Sequence, residues 1–242
     1  MTRWDAEQYD AHRGSPPVAA VDLIRTRSAA ARVLDIGCGT GLFTRLWVGR
    51  SDRVVGVDLD ADMLAVARRR SAQGDLAYVR ARGENLPLRD QWADVVTFAS
   101  SIHWLPPAST ARELLRVLSP AGLVAIIGPA TPFPDDCPEV AETITAARRE
   151  LLQSEAGERP QMWAWEEHLV ALREVGLDRV RSEYVTSAAR WTVDDLITHM
   201  STTGAARTDA HVLPRLREHL LERLGPDETP WSQPWRMVTV SR

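Results

Sequence analysis

The chain has 242 residues, 44% hydrophobic and 26% charged, with a formal net charge of -4 and a pI near 5.9. That length suits one sizeable α/β domain with a smaller accessory element and excludes two full enzymes, and the acidic balance argues against the clustered positive charge that nucleic-acid binding needs. All 29 basic residues are arginine, which stays protonated at any working pH, so no lysine can serve as a general base or Schiff-base nucleophile.

Met1 to Tyr9 carry Arg3, Asp5 and Glu7 without an apolar core, so a signal peptide is not expected. Residues 5–28 are predicted helical, with Ser15 as an N-cap ahead of Pro16 and Pro17 and with Val18, Val21, Leu23 and Ile24 on the apolar face. Strands follow at 32–36, 53–58, 76–80, 93–99 and 123–127. Between them lie helical stretches at 42–48, after Asp60 (apolar at Met63, Leu64, Val66 and Ala67) and at 110–118, with Leu114, Leu115, Val117 and Leu118 inside. Short apolar strands separated by helices imply a parallel sheet covered on both faces and doubly wound.

Beyond Gly128 that rhythm breaks. Pro129, Pro132, Pro134 and Pro138 punctuate a loop, and 140–152 and 163–175 read as two helices. A sixth strand is expected at 180–185 and a closing strand at 236–240. Thr192 to Asp195 resembles a capping box that opens a helix through Met200, and 213–224 reads as a further helix. Four segments result: an N-terminal helical cap at 1–28, a binding core at 29–128, a helical lid at 129–175, and a completing segment at 176–242. Cys38 and Cys137 are too far apart for a metal motif or a disulfide framework, which suits a reducing cytoplasm. The histidines show no metal-ligand spacing, and no apolar run has the length of a membrane span.

The chemistry concentrates in Asp35-Ile36-Gly37-Cys38-Gly39-Thr40-Gly41, a glycine-rich turn between a strand and a helical stretch. Such a turn offers backbone N–H groups and a helix N-terminus to a ligand, and glycines let that ligand come close. The Gly-x-Gly-x-Gly spacing differs from the dinucleotide fingerprint. An acid at position 35 would repel a pyrophosphate and suits a ligand carrying a cationic amino group.

The run Val33 to Phe43 resembles the first motif of class I S-adenosylmethionine-dependent methyltransferases. The likeness continues through Val54 to Asp60, Met63-Leu64, Gly83 to Pro87, Ala93 to Val96 and Leu114 to Gly122, covering roughly residues 30–128. It implies a Rossmann-like seven-stranded sheet in the order 3-2-1-4-5-7-6, last strand antiparallel, with helices on both faces. It also implies S-adenosylmethionine as cofactor and S-adenosylhomocysteine as product. On that resemblance Gly37, Cys38, Gly39 and Thr40 line the methionine portion, and Asp35 helps to hold its ammonium. Asp58 accepts from the ribose hydroxyls, Leu59 and Met63 pack on adenine, and Gly83 and Glu84 read its edge, with Ser100 near the cofactor. Arg82 stands where many relatives carry an aspartate, which puts any side-chain contact from that position in doubt.

The fourth strand ends Ala99-Ser100-Ser101-Ile102-His103-Trp104, at the edge where open α/β sheets do their chemistry. It lacks the Asn/Asp-Pro-Pro-Tyr/Phe segment of many base-amine and glutamine methylating enzymes. The His-Trp ending is similar to trans-aconitate methyltransferases and related carboxyl methyltransferases, and Trp191 to Arg207 is weakly so. The element Tyr9-x-x-x-Arg13-x-x-Pro16 is also similar, and in such enzymes it folds over the cofactor. His103 reads as a general base for a hydroxyl, as an orienting group, or as a residue fixed by packing. Trp104 reads as an indole donor or as core. Trp163 and Trp165 read as lid packing or substrate contacts, Arg148 and Arg149 as a solvated helix face, and Arg13 and Arg207 as weak candidates for an acidic substrate.

The reading is therefore a cytoplasmic enzyme that methylates an oxygen of a small molecule, with no nucleic acid or membrane partner expected. Methylation of a carrier-protein-bound acyl carboxylate, C- or N-methylation of a small metabolite, and a cofactor-binding module without catalysis stay open. The glycine spacing disfavours a nucleotide-dependent oxidoreductase, and the charge disfavours an RNA methyltransferase.

Overall fold

A computed structural model describes residues 5–71, 75–129, 165–186, 192–201, 213–224 and 234–242. The helix expected at 140–152, together with Cys137, Arg148, Arg149, Trp163 and Arg207, lies outside the described residues.

Seven strands form one sheet: β1 Arg32–Ile36, β2 Arg53–Asp58, β3 Leu76–Arg80, β4 Ala93–Ala99, β5 Leu118–Pro129, β6 Arg179–Thr186 and β7 Pro234–Ser241. Their order is β3-β2-β1-β4-β5-β7-β6, as the family resemblance implied. β1 to β5 pair in parallel, and β7 runs antiparallel to β5 with Ile126 opposite Val238. Because alternate residues of a strand face opposite sides, the sheet feeds two apolar layers. Leu34, Ile36, Val96, Phe98, Val124 and Ile126 fill one, and Val33, Val95, Leu123, Ala125 and Ile127 fill the other.

The helices among the described residues are α1 Ala6–His12, α2 Val18–Arg25, α3 Ala61–Arg70, α4 Pro107–Val117, α5 Glu166–Glu174, α6 Val193–Ser201 and α7 Leu213–Leu224. α4 and α5 cover the first layer with Ala111, Leu114, Val117, Ala171 and Leu172. α2 covers the second with Ala20, Val21 and Ile24, beside Phe43 and Trp47.

Several local expectations are corrected. The stretch 5–28 is broken into α1 and α2, and Ser15 is not a cap. Pro17 forces Pro16 out of the helical region and is itself extended at ψ 147°, so α2 starts at Val18. Ser15 Oγ instead donates to the Leu42 carbonyl at 3.4 Å. Asp5 caps α1, accepting from the N–H groups of Glu7 and Gln8. The helix expected at 42–48 is a single 3-10 turn, Thr44–Trp47, followed by Gly49 at φ +72°. α4 starts at Pro107, where a proline's missing N–H costs nothing. Leu115 is only half-buried.

Asp60 caps α3 as its place in the sequence indicates, accepting from the N–H groups of Asp62 and Met63. The capping box also forms: Thr192 N–H donates to Asp195 Oδ2 at 2.9 Å, and Asp195 N–H donates to Thr192 Oγ1 at 3.0 Å.

The chain divides into two compact units. The larger comprises residues 15–129, 161–185 and 235–242; the smaller comprises 1–14, 130–160 and 186–234. The larger holds the sheet with α2 to α5. In the smaller, an ion pair between Arg217 Nε and Asp194 Oδ1 at 2.6 Å ties α7 to α6. α5, placed by sequence at the end of a lid, packs as sheet cover instead. Trp165 before it is 3% exposed, with the Arg236 guanidinium 5.4 Å from its ring centroid.

Candidate cofactor and active site

The site is built at the carboxyl ends of β1, β2 and β4, within the larger unit. After Ile36 the chain turns through Gly37, Gly39 and Gly41, all at positive φ (+68°, +54° and +79°). Such backbone is strained for any side chain with a Cβ.

The glycines make room for protein before ligand. A Cβ on Gly37 would stand 2.5 Å from Ser101 Cβ, and one on Gly41 would stand 2.2 Å from the Tyr78 hydroxyl. Gly56 on β2 faces the same ring, with Tyr78 Cδ1 at 2.7 Å from its Cβ position. Tyr78 and Ser101 are thus loop-setting residues that no sequence motif announced.

Four of the loop's N–H groups are bonded within the protein. Gly37 and Cys38 donate to the Val57 carbonyl at 2.8 and 3.0 Å, and Gly41 donates to the Cys38 carbonyl at 2.9 Å. Gly39 N–H donates to Asp58 Oδ2 at 2.7 Å. A 3-10 turn follows the loop, so no α-helical N-terminus stands behind it for a pyrophosphate.

Asp35 is 1% exposed. Its Oδ2 accepts from Thr44 Oγ1 at 2.6 Å and its Oδ1 from Thr97 Oγ1 at 2.7 Å. Each carboxylate oxygen is thus held by one hydroxyl inside the protein. Burial pushes its carboxyl up to about 6, the two hydroxyl bonds oppose this, and the Asp58 charge adds to it. Burial also raises Asp58, against the N–H bonds from Asp60 and Gly39. Cys38, its thiol pushed up by burial and by both carboxylates, is no nucleophile.

Asp58 ends β2, with Oδ1 accepting from Asp60 N–H at 2.9 Å. Next to it Leu59 is 46% exposed, a large apolar surface beside a fixed carboxylate. Met63 is buried in α3. Thr40 is buried too, and its Oγ1 has no hydrogen-bond partner among the described residues.

A second loop carries Gly83 and Glu84. A Cβ on Gly83 would stand 2.2 Å from Leu105 Cδ2 and 2.6 Å from Ile36 Cγ2, so this glycine is also a packing requirement. Glu84 pairs with Arg82 at 3.1 Å, which gives the departing Arg82 a local role. Arg116 braces the loop, donating to the carbonyls of Leu86 and Leu88 and pairing with Glu113 at 2.6 Å.

After β4, Ser100 sits at φ +56°, and Ser101 Oγ donates to the Ile36 carbonyl at 2.5 Å. A 3-10 turn, Ile102–Trp104, then presents His103 and Trp104 with ring centroids 4.9 Å apart and planes at 42°. Ile102 is buried, whereas Trp104 is 72% exposed and does not serve as core. Tyr9 and Arg13 belong to the smaller unit, where the Arg13 guanidinium lies 5.8 Å from the Tyr9 ring centroid.

The larger unit thus gathers Asp35, the glycine loop, Asp58, Leu59, Gly83 and Glu84 at one end of the sheet, together with the His103–Trp104 turn. Among the described residues no group of three His, Cys, Asp or Glu side chains could hold a metal, and no helix is long and apolar enough to cross a membrane.

Residues 34–126 match the family described as a methyltransferase domain. An uncharacterized methyltransferase of Mycobacterium bovis is 38% identical over 119 residues, 49% of this chain and 48% of that relative. A malonyl-[acyl-carrier protein] O-methyltransferase of Pectobacterium atrosepticum is 39% identical over 95 residues, 39% of this chain and 37% of the relative. A trans-aconitate 2-methyltransferase of an Azoarcus species is 38% identical over 133 residues, 52% and 51% of the two chains. The chain spans about half the length, or less, of these curated relatives. The solved structure of a candidate type II methyltransferase from Anaeromyxobacter dehalogenans superimposes with a TM-score of 0.71 at 21% identity, covering 95% of this chain and 97% of that one. At that identity the likeness is one of fold.

Proposed function

We propose, from the premise that residues 34–126 are a methyltransferase domain of the class I S-adenosylmethionine-dependent type, that this chain transfers a methyl group to an oxygen of a small molecule, a carboxylate before a hydroxyl. The observation that carries the cofactor reading is the loop's chemistry. The N–H groups of Gly37, Cys38, Gly39 and Gly41 are internally bonded, and two carboxylates, Asp35 and Asp58, lie in and beside the loop. That arrangement suits a cationic nucleoside ligand and disfavours a pyrophosphate.

The residues present fit such a ligand. Asp58 is held by two backbone N–H groups and keeps acceptor capacity for a ribose diol. The exposed Leu59 offers an apolar face for adenine, and the buried Thr40 hydroxyl lacks a partner among the described residues. Gly83 and Glu84 are read as meeting the adenine edge, as the family resemblance implies. The buried negative charge of Asp35 favours a cation above the loop without touching it.

S-adenosylmethionine supplies an activated methyl on a sulfonium, so the protein's work is alignment of the acceptor oxygen. Such positioning is worth about 7–11 kcal/mol in favourable cases. A carboxylate is ionised at neutral pH and needs no base. His103 and Trp104 then orient it through ring N–H donors. The exposure of Trp104 supports an acceptor-side role over a core role, and two relatives are named for acids, malonyl carrier protein and trans-aconitate. The malonyl relative favours a second reading, an acyl carboxylate presented on a carrier protein.

The reading is tested by calorimetric titration with S-adenosylmethionine, S-adenosylhomocysteine and NADH, and by a panel of acids, alcohols and amines scored for S-adenosylhomocysteine release. Binding of the first two compounds with turnover of an acid is expected. Binding of NADH alone, or no turnover of any acid, alcohol or amine, would overturn it.

A further inference from the structure

We propose that His168 is a positioning residue for the turn that carries His103 and Trp104. It stands on α5, in a stretch the sequence assigns no chemistry, and is 6% exposed. Its Nε2 lies 3.0 Å from the carbonyl oxygen of Leu105. A carbonyl only accepts, so Nε2 carries the proton. Nδ1 is buried without a hydrogen-bond partner among the described residues, which leaves this one bond to hold the ring's polar edge.

Leu105 is where three parts of the site meet. It closes the Ile102–Trp104 turn by donating its N–H to the Ile102 carbonyl at 3.0 Å. Its side chain fills the space that a Cβ on Gly83 would need. Its carbonyl is the one His168 takes from across 63 residues of chain. Ile102 anchors the start of the turn in the core. Trp104 is 72% exposed, so packing does not fix its ring, and its N–H reaches only back to the Ser101 carbonyl at 3.0 Å.

A buried imidazole is costly in an apolar layer unless it makes a hydrogen bond. Leucine would fill the same space between α4 and α5 without that cost, and would leave the Leu105 carbonyl unbonded. The choice of histidine is explained if the orientation of the turn matters. The bond sets the turn against α5 on one side and against the Gly83 loop on the other, so the acceptor end is registered to the adenine end. Assigning the turn to the acceptor rests on the methyl-transfer reading above; the bond between His168 and Leu105 does not.

The test uses the full chain with His168→Leu, His168→Gln and His168→Asn. Deuterium exchange is followed at the amides of Trp104 and Leu105 and at β1, and S-adenosylhomocysteine affinity is measured by calorimetry. In His168→Leu, exchange at Trp104 and Leu105 is expected to rise tenfold or more, with β1 unchanged and affinity within threefold of the parent. Glutamine places an amide N–H where Nε2 stands and restores most of the protection. Asparagine, which reaches only the Nδ1 position, does not, and this pair decides the matter should the leucine variant fail to fold. Unchanged exchange at the turn, no rescue by glutamine, or a rise spread equally over β1 would overturn the proposal. A parent protein that fails to bind S-adenosylhomocysteine would sink the functional reading instead, and the exchange comparison would still judge the turn.

Discussion

Thr97 Oγ1 donates to Asp35 Oδ1 at 2.7 Å across neighbouring strands, in register, and so puts the floor of β4 under the charge that ends β1. With Thr44 on the other oxygen, Asp35 is a buried carboxylate with a hydroxyl on each oxygen and, among the described residues, no cation acting on it. Its carboxyl is raised to about 6 from an ordinary 3.8. A raised pKa means that the folded state binds the proton more tightly, so stability is greatest below about pH 4 for this group and is lost as pH climbs through 6. At neutral pH the ionised group costs roughly 3 kcal/mol, at 1.36 kcal/mol per unit. Asp35→Asn is therefore expected to melt higher than the parent at pH 7, with the advantage shrinking as pH falls from 6 to 4. Its affinity for S-adenosylmethionine should fall in the same variant. A melting difference that does not change with pH would count against this assignment.

Gly41→Ala tests whether Tyr78 imposes the loop's glycine. The position combines φ +79° with a Cβ site 2.2 Å from the Tyr78 hydroxyl and 2.9 Å from its Cζ. The backbone alone costs about 1–2 kcal/mol, and the ring must shift as well. A loss of roughly 2 kcal/mol or more is expected in urea unfolding. Adding Tyr78→Leu to Gly41→Ala should recover part of it, since the hydroxyl that Ser71 also engages at 2.9 Å is then gone. Equal losses in the single and double variants would show that the ring is not the obstacle.

Arg116 is a structural brace for the loop that follows Gly83 and Glu84. Replacing it with methionine leaves the Leu86 and Leu88 carbonyls without their guanidinium donor and strips Glu113, whose side chain is 12% exposed, of its partner. Glu113 also accepts from Leu86 N–H at 2.6 Å, so the loop loses order from two directions. A loss of about 1–3 kcal/mol is expected, with S-adenosylmethionine affinity falling alongside stability. Unchanged affinity in a destabilised variant would separate this loop from the cofactor.

The parallel strands were legible as short runs rich in valine, leucine and isoleucine, with Gly37 closing β1 and Asp52 and Asp75 preceding β2 and β3, and Asp60 and the Thr192–Asp195 box announce helix starts through their side-chain chemistry. The glycine loop was legible as a motif but not in its physical cause. Thr97 lies under Asp35, and Tyr78 against Gly41 and Gly56, only after β4 and β3 are set in register beside β1 and β2. A local reading assigns those glycines to a ligand. The same holds for His168, whose partner is a backbone carbonyl 63 residues away. Ser15 carries the signature of a cap, a polar residue before proline, whereas Pro17 keeps the backbone extended and α2 begins after it.

Trp104 separates core from contact. At 72% exposure, its truncation to alanine should change stability by less than about 1 kcal/mol. If the indole receives the acceptor, KM for an acid found in the panel should rise while KM for S-adenosylmethionine stays put. A large loss of stability with unchanged acceptor KM would return Trp104 to a packing role.

His103 decides the class of acceptor. Its ring stands 4.9 Å from that of Trp104, on the turn at the carboxyl end of β4, where either proton transfer or simple orientation is feasible. A hydroxyl must lose its proton as the methyl arrives, and removal of a general base typically costs 10²–10⁴-fold in rate. It also abolishes the titration that an imidazole places between about pH 5 and 8. A carboxylate is already ionised there, so the parent rate should be flat across that range. For the carboxylate acceptor proposed here, His103→Ala is expected to raise acceptor KM and leave kcat and its flat pH profile intact. A parent enzyme whose rate climbs with pH, and whose His103→Ala variant loses both the climb and most of kcat, would instead assign the acceptor oxygen to a hydroxyl and His103 to its deprotonation.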